Sequence, residues 1–166
     1  MTVEPKWISM KERTERRDAP LFRRAFSLDA AIESATLHVC GLGYYEAWIN
    51  QQRVGDHVLD PAQTDYEQRV LYVTYDVTNL VRPGSNCIGV MLGNGWYNQD
   101  RVWGSQGLSY GAPRMLLELH IHLSDGRTVA VNSDDSWRCT PGPVTDNNIY
   151  AGECYDARLE QPDWHA

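Results

Sequence analysis

The sequence predicts an all-β domain: a two-sheet antiparallel β-sandwich, more specifically a jelly roll of the galactose-binding-like kind. Three observations point there. Seven or more short segments have strand character and are punctuated by turn residues. One of them, RMLLELHIHL at 114–123, alternates without a break, placing Met115, Leu117, Leu119, Ile121 and Leu123 on one face. Helical signals are confined to single turns.

In chain order, residues 1–18 form a polar lead-in with one anchor-like aromatic, Trp7. LFRRAF (21–26) is a short strand, and SLDAAIES (27–34) offers a turn. ATLHVCG (35–41) sets Ala35, Leu37 and Val39 on one face against Thr36 and His38 on the other. YYEAWIN (44–50) follows the break at Gly41 to Gly43. RVLYVTY (69–75) and NCIGVML (86–92) are β-branched and apolar. Between them DVTNLV (76–81) reads as one helical turn, capped by Asp76 or Thr78 and ended by PGSN (83–86). DGR (125–127) is a tight turn into TVAV (128–131), and SWRCT (136–140) is the last strand. A single module over 19–160 results, with 161–166 as the start of a linker.

The chain of 166 residues suits one domain and can bury a full core without metal or disulfide staples. A net charge of −7, with no basic block beyond KERTERR (11–17), argues against nucleic acid and anionic membranes as partners. No apolar run approaches a membrane span, and the first twenty residues lack a secretory h-region. If Met1 is the true start, a cytoplasmic location is expected. None of the four cysteines sits in a C-x-x-C pair; Cys40 and Cys87 lie within apolar strands and read as small buried thiols.

Three segments carry candidate chemistry. In ELHIH (118–122), strand period places Glu118, His120 and His122 on one face, a spacing that a small jelly-roll metalloenzyme could use. The chain turns at once through Ser124, Asp125 and Gly126, however, and the alternative is the solvated face of a strand packed on its other side. Asp56, Asp60 and Asp65 cluster in a loop-like stretch where carboxylates usually cap turns. GNGWYNQDRVWG (93–104) mixes Trp96, Tyr97 and Trp103 with short amides. Sugars stack their C–H faces on aromatic rings and bond their hydroxyls to amides and carboxylates, so this loop suits carbohydrate or partner contact. The alternative is a cover over one end of the sandwich.

Five blocks then share one resemblance. APLFRRAF (19–26), GYYEAWINQQRVGD (43–56), TDYEQRVLYVTYDVTNLVRPGSN (64–86), LGNGWY (92–97) and IYAGECYDAR (149–158) resemble, in order, the N-terminal β-sandwich module of bacterial α-L-rhamnosidases. The resemblance covers roughly residues 7–164. It implies a lectin-like jelly roll, not an enzyme by itself, attached to a separate (α/α)6 barrel that carries the acids for inverting hydrolysis of terminal α-L-rhamnosides. The implied partner is a rhamnose-containing glycan or that catalytic domain, with a purely structural interdomain scaffold as the alternative. Some members bind rhamnose with a calcium ion, for which Asp56 is the one candidate here; no other cofactor is expected. On this resemblance Trp96 and Trp103 stack, Tyr97 and Tyr110 flank, and Asn94 and Asp56 hydrogen-bond to hydroxyls. The last block fixes the exit, with Glu153, Asp156 and Arg158 as a buried ion network.

Overall fold

The computed structural model describes residues 4–10, 17–99, 101–102 and 107–166. The strands are β1 (Leu21–Leu28), β2 (Ile32–Leu42), β3 (Tyr45–Ile49), β4 (Gln52–Arg53), β5 (Val73–Asp76), β6 (Gly84–Leu92), β7 (Asn98–Gln99), β8 (Leu108–Ser109), β9 (Arg114–Leu123), β10 (Thr128–Asn132), β11 (Arg138–Thr140), β12 (Val144–Asn148) and β13 (Gly152–Tyr155). They form a five-stranded sheet, β11-β1-β6-β3-β4, and a four-stranded sheet, β10-β9-β2-β5, with two short hairpins, β12-β13 and β7-β8. All named pairings are antiparallel, giving the predicted sandwich.

Alternation decides which face each sheet buries. On β9 the five alternate residues from Met115 to Leu123 are fully buried. Their partners across the sandwich are Phe22 on β1, Ile49 on β3, and Ile88, Val90 and Leu92 on β6. Ten register pairs, Ile32↔Leu123 to Leu42↔Arg114, join β2 to β9. Left-handed Asn50 (φ 50°) and Gln51 (φ 69°) make the tight connection from β3 to β4. The Asn50 amide also ties the two sides of the fold: its Nδ2 donates to Leu80 O at 2.9 Å and its Oδ1 accepts from Cys87 N at 3.0 Å.

Several boundaries differ from the sequence reading. β5 starts only at Val73, so Arg69–Tyr72 run outside the sheet with Val70, Leu71 and Tyr72 exposed. SLDAAIES bends at Asp29–Ala30 and then enters β2. The turn at 76–81 is a 3-10 turn, Thr78–Leu80; Asp76 Oδ1 accepts from Thr78 N at 3.0 Å. Cys40 and Cys87 are buried, while Cys139 and Cys154 are exposed, all four as free thiols. In the lead-in, Ile8 pairs with Met115 at the sandwich edge.

The C-terminal residues do not leave the surface. β1, β6 and β3 align Arg23, Gly89 and Trp48 in one row across the outer face of the larger sheet. Gly89 leaves a gap in that row, and Trp164 fills it: a Cβ at Gly89 would meet Trp164 Cζ3 at 2.6 Å and His165 Cβ at 2.8 Å. Trp164 meets the Trp48 ring edge-on at 5.5 Å and stacks on His165 at 4.9 Å. Gln51 N donates to His165 O at 3.2 Å, and the Arg23 guanidinium to Ala166 O at 3.1 Å. Burial of His165 in this seat lowers its pKa. Residues 161–166 therefore form a strap bound to the sandwich.

Candidate functional site: a loop cleft beside the larger sheet

A cleft of about 540 Å³ opens where four of the five sequence blocks meet. One wall is the start of β3, with Tyr44 and Glu46; the second is the loop after β4, with Val58 and Leu59; the third is the β12–β13 hairpin, with Ile149 and Glu153. The hairpin escaped the sequence reading because VTDNN is polar, yet its short amides are what hold it. Asn147 Oδ1 accepts from Asn94 N at 2.7 Å, and its Nδ2 donates to Arg17 O at 2.8 Å.

The second wall is fixed by a chain of hydroxyls and a carboxylate. Tyr75 OH donates to Asp60 Oδ2 at 3.0 Å, and the Tyr45 and Tyr75 hydroxyls lie 3.2 Å apart. With the Tyr75 proton committed to the carboxylate, Tyr45 is the donor in that second bond. Burial, and then donation to Tyr75, pushes the Tyr45 hydroxyl pKa far up. His57 Nδ1 sits 2.8 Å from the same Asp60 oxygen, and Arg53 donates to His57 O at 2.9 Å. The Tyr75 ring packs against Gly55 (φ 66°), where no side chain fits. Asp65, the third carboxylate of this stretch, accepts from Glu67 N at 3.1 Å and so caps a turn.

The aromatic residues predicted to form one platform are separated. Trp96 sits beside the cleft, edge-on to Tyr150 at 5.6 Å. Tyr97 turns the other way and is 4% exposed. It stacks with Tyr110 at 5.8 Å, meets Tyr66 edge-on at 5.3 Å, and accepts from Arg114 at 2.8 Å, over Cys40 and Leu42 at the end of β2. Tyr110 is half-exposed on that second cluster, away from Trp96. Asn94 is 0% exposed, so its side chain is a brace and not a surface contact: Nδ2 donates to Arg17 O at 3.1 Å and Asn147 O at 3.0 Å, and Oδ1 accepts from Asn98 at 2.9 Å. Gln99 completes the clamp by donating to Gly95 O and accepting from Ile149 N. Trp103 lies outside the described residues.

Asp56 is exposed on the loop of the second wall. Among the described residues no three His, Cys, Asp or Glu side chains gather as a metal site. Asp56 alone is short of the roughly six to eight oxygens that calcium takes, and no chemistry is assigned to that ion. The same finding corrects the metalloenzyme alternative. Glu118 and His120 lie side by side at 2.9 Å on the outer face of the four-stranded sheet, but His122 Nδ1 is engaged by Thr128 Oγ1 at 3.1 Å. The expected buried network of Glu153, Asp156 and Arg158 is corrected too. Arg158 pairs with Asp156 at 2.6 Å on the surface, and Glu153 is exposed.

Comparison with known proteins places this architecture. Residues 30–166 match the α-L-rhamnosidase N-terminal domain. An α-L-rhamnosidase of Formosa agariphila is 41% identical over 151 residues, which are 88% of this chain and 16% of that protein. The crystal structure of an α-L-rhamnosidase from Aspergillus terreus superposes with a TM-score of 0.90 at 41% identity, over 98% of this chain and 19% of that one. The Streptomyces avermitilis α-L-rhamnosidase, solved with L-rhamnose, gives a TM-score of 0.85 at 38% identity, over 89% of this chain and 14% of that one. The chain thus spans about one-sixth of the length of these relatives.

Proposed function

Because the chain belongs to the α-L-rhamnosidase N-terminal domain family, we propose that it works as a non-catalytic accessory module, held in a fixed orientation against the rest of a rhamnosidase polypeptide. The observation that carries this is the seat of the strap. A passive tether is polar and solvated, whereas residues 161–166 are stacked on Trp48, fitted over Gly89 and hydrogen-bonded to Gln51 and Arg23. A segment fastened this way passes the module's orientation to whatever follows it.

A second reading, contact with a rhamnose-containing glycan, is favoured by one feature. Tyr150 is 51% exposed and stands against Trp96 on the hairpin that also carries the cleft carboxylate Glu153. An accessible ring beside a carboxylate can take a sugar's apolar face and its hydroxyls. Such contact would belong to the Trp96–Tyr150 corner, not to Tyr97 or Asn94.

Two measurements separate these readings. The first uses a hybrid enzyme in which this chain replaces the matching 151 residues of the Formosa agariphila relative. Calorimetry of the hybrid is expected to show the module unfolding together with the remainder. An independent transition at the midpoint of the isolated chain would overturn the accessory role. In the second, the 166-residue chain is titrated with L-rhamnose by NMR; saturable shifts at Tyr150 and Trp96 would favour the glycan reading.

A further inference from the structure

The outer face of the four-stranded sheet carries a second cavity, of about 420 Å³, that the accessory role leaves unused. It exists because Arg69–Tyr72 leave the sheet before β5 begins, so a groove opens between that segment and the outward side chains of β2 and β9. Register sorts the lining. Cys40 pairs with Leu116; two residues along, His38 pairs with Glu118; two further, Thr36 pairs with His120. The groove is therefore divided along its length. One end is apolar: Cys40 and Leu116 form its floor, and the run back from Val73, which pairs with Val39, brings Leu71 and Val70 towards it. The other end is polar, with His38, Glu118 and His120, and there the exposed Tyr72 ring stands edge-on to His38 at 5.8 Å. Local bonds fix the polar end: His38 Nδ1 lies 2.9 Å from Thr74 Oγ1, and His120 Nε2 lies 2.9 Å from Glu118 Oε2. They leave His38 Nε2, Glu118 Oε1 and the Tyr72 hydroxyl without a hydrogen bond among the described residues.

We infer that this groove is a binding site for a terminal deoxyhexose, a sugar whose exocyclic carbon is a methyl group, as in L-rhamnose. It shares its sugar chemistry with the glycan reading above but not its place: the Trp96–Tyr150 corner lies on the cleft, and neither residue lines this groove. The class follows from the division of the lining. A deoxyhexose is itself divided, with a methyl group at one edge of the ring and adjacent hydroxyls at the other. Set along the groove, its methyl meets Leu116, Val70 and Leu71, while its hydroxyls reach the Glu118 carboxylate and the His38 imidazole. The Tyr72 ring offers a flat face to the sugar's C–H groups. Other occupants fit one end only. A hydrocarbon chain leaves Glu118 and His38 covered without partners, which costs about 1–3 kcal/mol for each buried polar group. An anion meets the Glu118 charge. A fully hydroxylated hexose drives a hydroxyl against the aliphatic end. The size is also apt, since small-molecule sites run from about 300 to 1,000 Å³.

The test is an NMR titration of the 166-residue chain with L-rhamnose and, separately, with L-mannose, which differs from it only by a hydroxyl on the exocyclic carbon. Saturable shifts at Tyr72, His38 and His120 are expected with L-rhamnose, with a Kd of roughly millimolar order. L-mannose is expected to bind at least about fivefold more weakly, because its extra hydroxyl enters the apolar end. Two variants probe the polar end: Glu118→Gln, which keeps the shape and removes the charge, and Tyr72→Ala, at a side chain 66% exposed. Each is expected to weaken L-rhamnose at least about fivefold while the melting temperature stays where it is. Equal affinity for the two sugars, or unchanged affinity in both variants, overturns the site. Shifts confined to Trp96 and Tyr150 overturn it and leave the glycan reading standing. No saturable shift anywhere, up to about 100 mM sugar, overturns both.

Discussion

Replacing Gly89 with alanine should detach the strap. The added methyl group would lie 2.6 Å from Trp164 Cζ3, 2.8 Å from His165 Cβ and 3.0 Å from Trp164 Cη2. Backbone hydrogen bonds to both β1 and β3 hold the Gly89 strand in place, so the ring must move. Seating the indole removes about 150 Å² from water, or roughly 4 kcal/mol at about 25 cal/mol/Å². The edge contact with Trp48 adds up to about 1 kcal/mol. Ordering the strap opposes most of this, so losing the seat should lower stability by about 1–3 kcal/mol. The assay is a double-mutant cycle of Gly89→Ala and Trp164→Ala by urea denaturation, with tryptophan fluorescence reporting solvent exposure of Trp164. Both single variants should lose similar stability, and the double variant should lose no more than either. Additive losses, or a Gly89→Ala variant as stable as the parent with Trp164 still protected, would refute the fitted seat.

Alkaline pH should weaken the fold. Burial pushes the Cys40 thiol from 9.0 up to about 11 and the Tyr66 hydroxyl up to about 12. Raised folded-state values mean that the neutral forms are favoured. Their contribution is full below about pH 9, and it is lost as pH rises towards the folded values. Denaturation midpoints followed from pH 8 to 11 should fall, and Cys40→Ala should flatten the slope by about 2 kcal/mol over that window; an unchanged slope would count against a buried thiol. Asn94→Ala should destabilise by about 2–3 kcal/mol, because it strips the Arg17 and Asn147 carbonyls and Asn98 of a partner at once. Thermal melts check this, and a change within a few tenths of a kcal/mol would place Asn94 back at the surface.

What the sequence made legible follows from how local each signal is. The alternation of β9, the buried Cys40 and Cys87, and the short turn after Asp76 all depend on neighbours in the chain, and all three reappear in the fold. The hairpin β12–β13 was missed because its residues are poor strand formers, held by amide clamps to distant Arg17 and Asn94. Trp96 lies beside the cleft, but adjacent Tyr97 was drawn into the opposite cluster by Arg114 and Tyr66, partners that loop composition cannot disclose. The strap was hardest to see, since its decisive signal is a missing side chain at Gly89. The loop wall of the cleft had one visible trace: two consecutive aliphatics, Val58 and Leu59, between His57 and Asp60–Pro61, in a stretch otherwise polar.

Hydrogen exchange tests the accessory role most directly, comparing the isolated chain with the hybrid enzyme, each with and without L-rhamnose. The account predicts that joining the remainder slows exchange in residues 55–61 and 149–155 and in the strap, while the outer face around His38 and His120 is unchanged and the sugar adds nothing to the first effect. Equal exchange in both proteins, or protection of the cleft walls and strap that appears only when L-rhamnose is present, would contradict it.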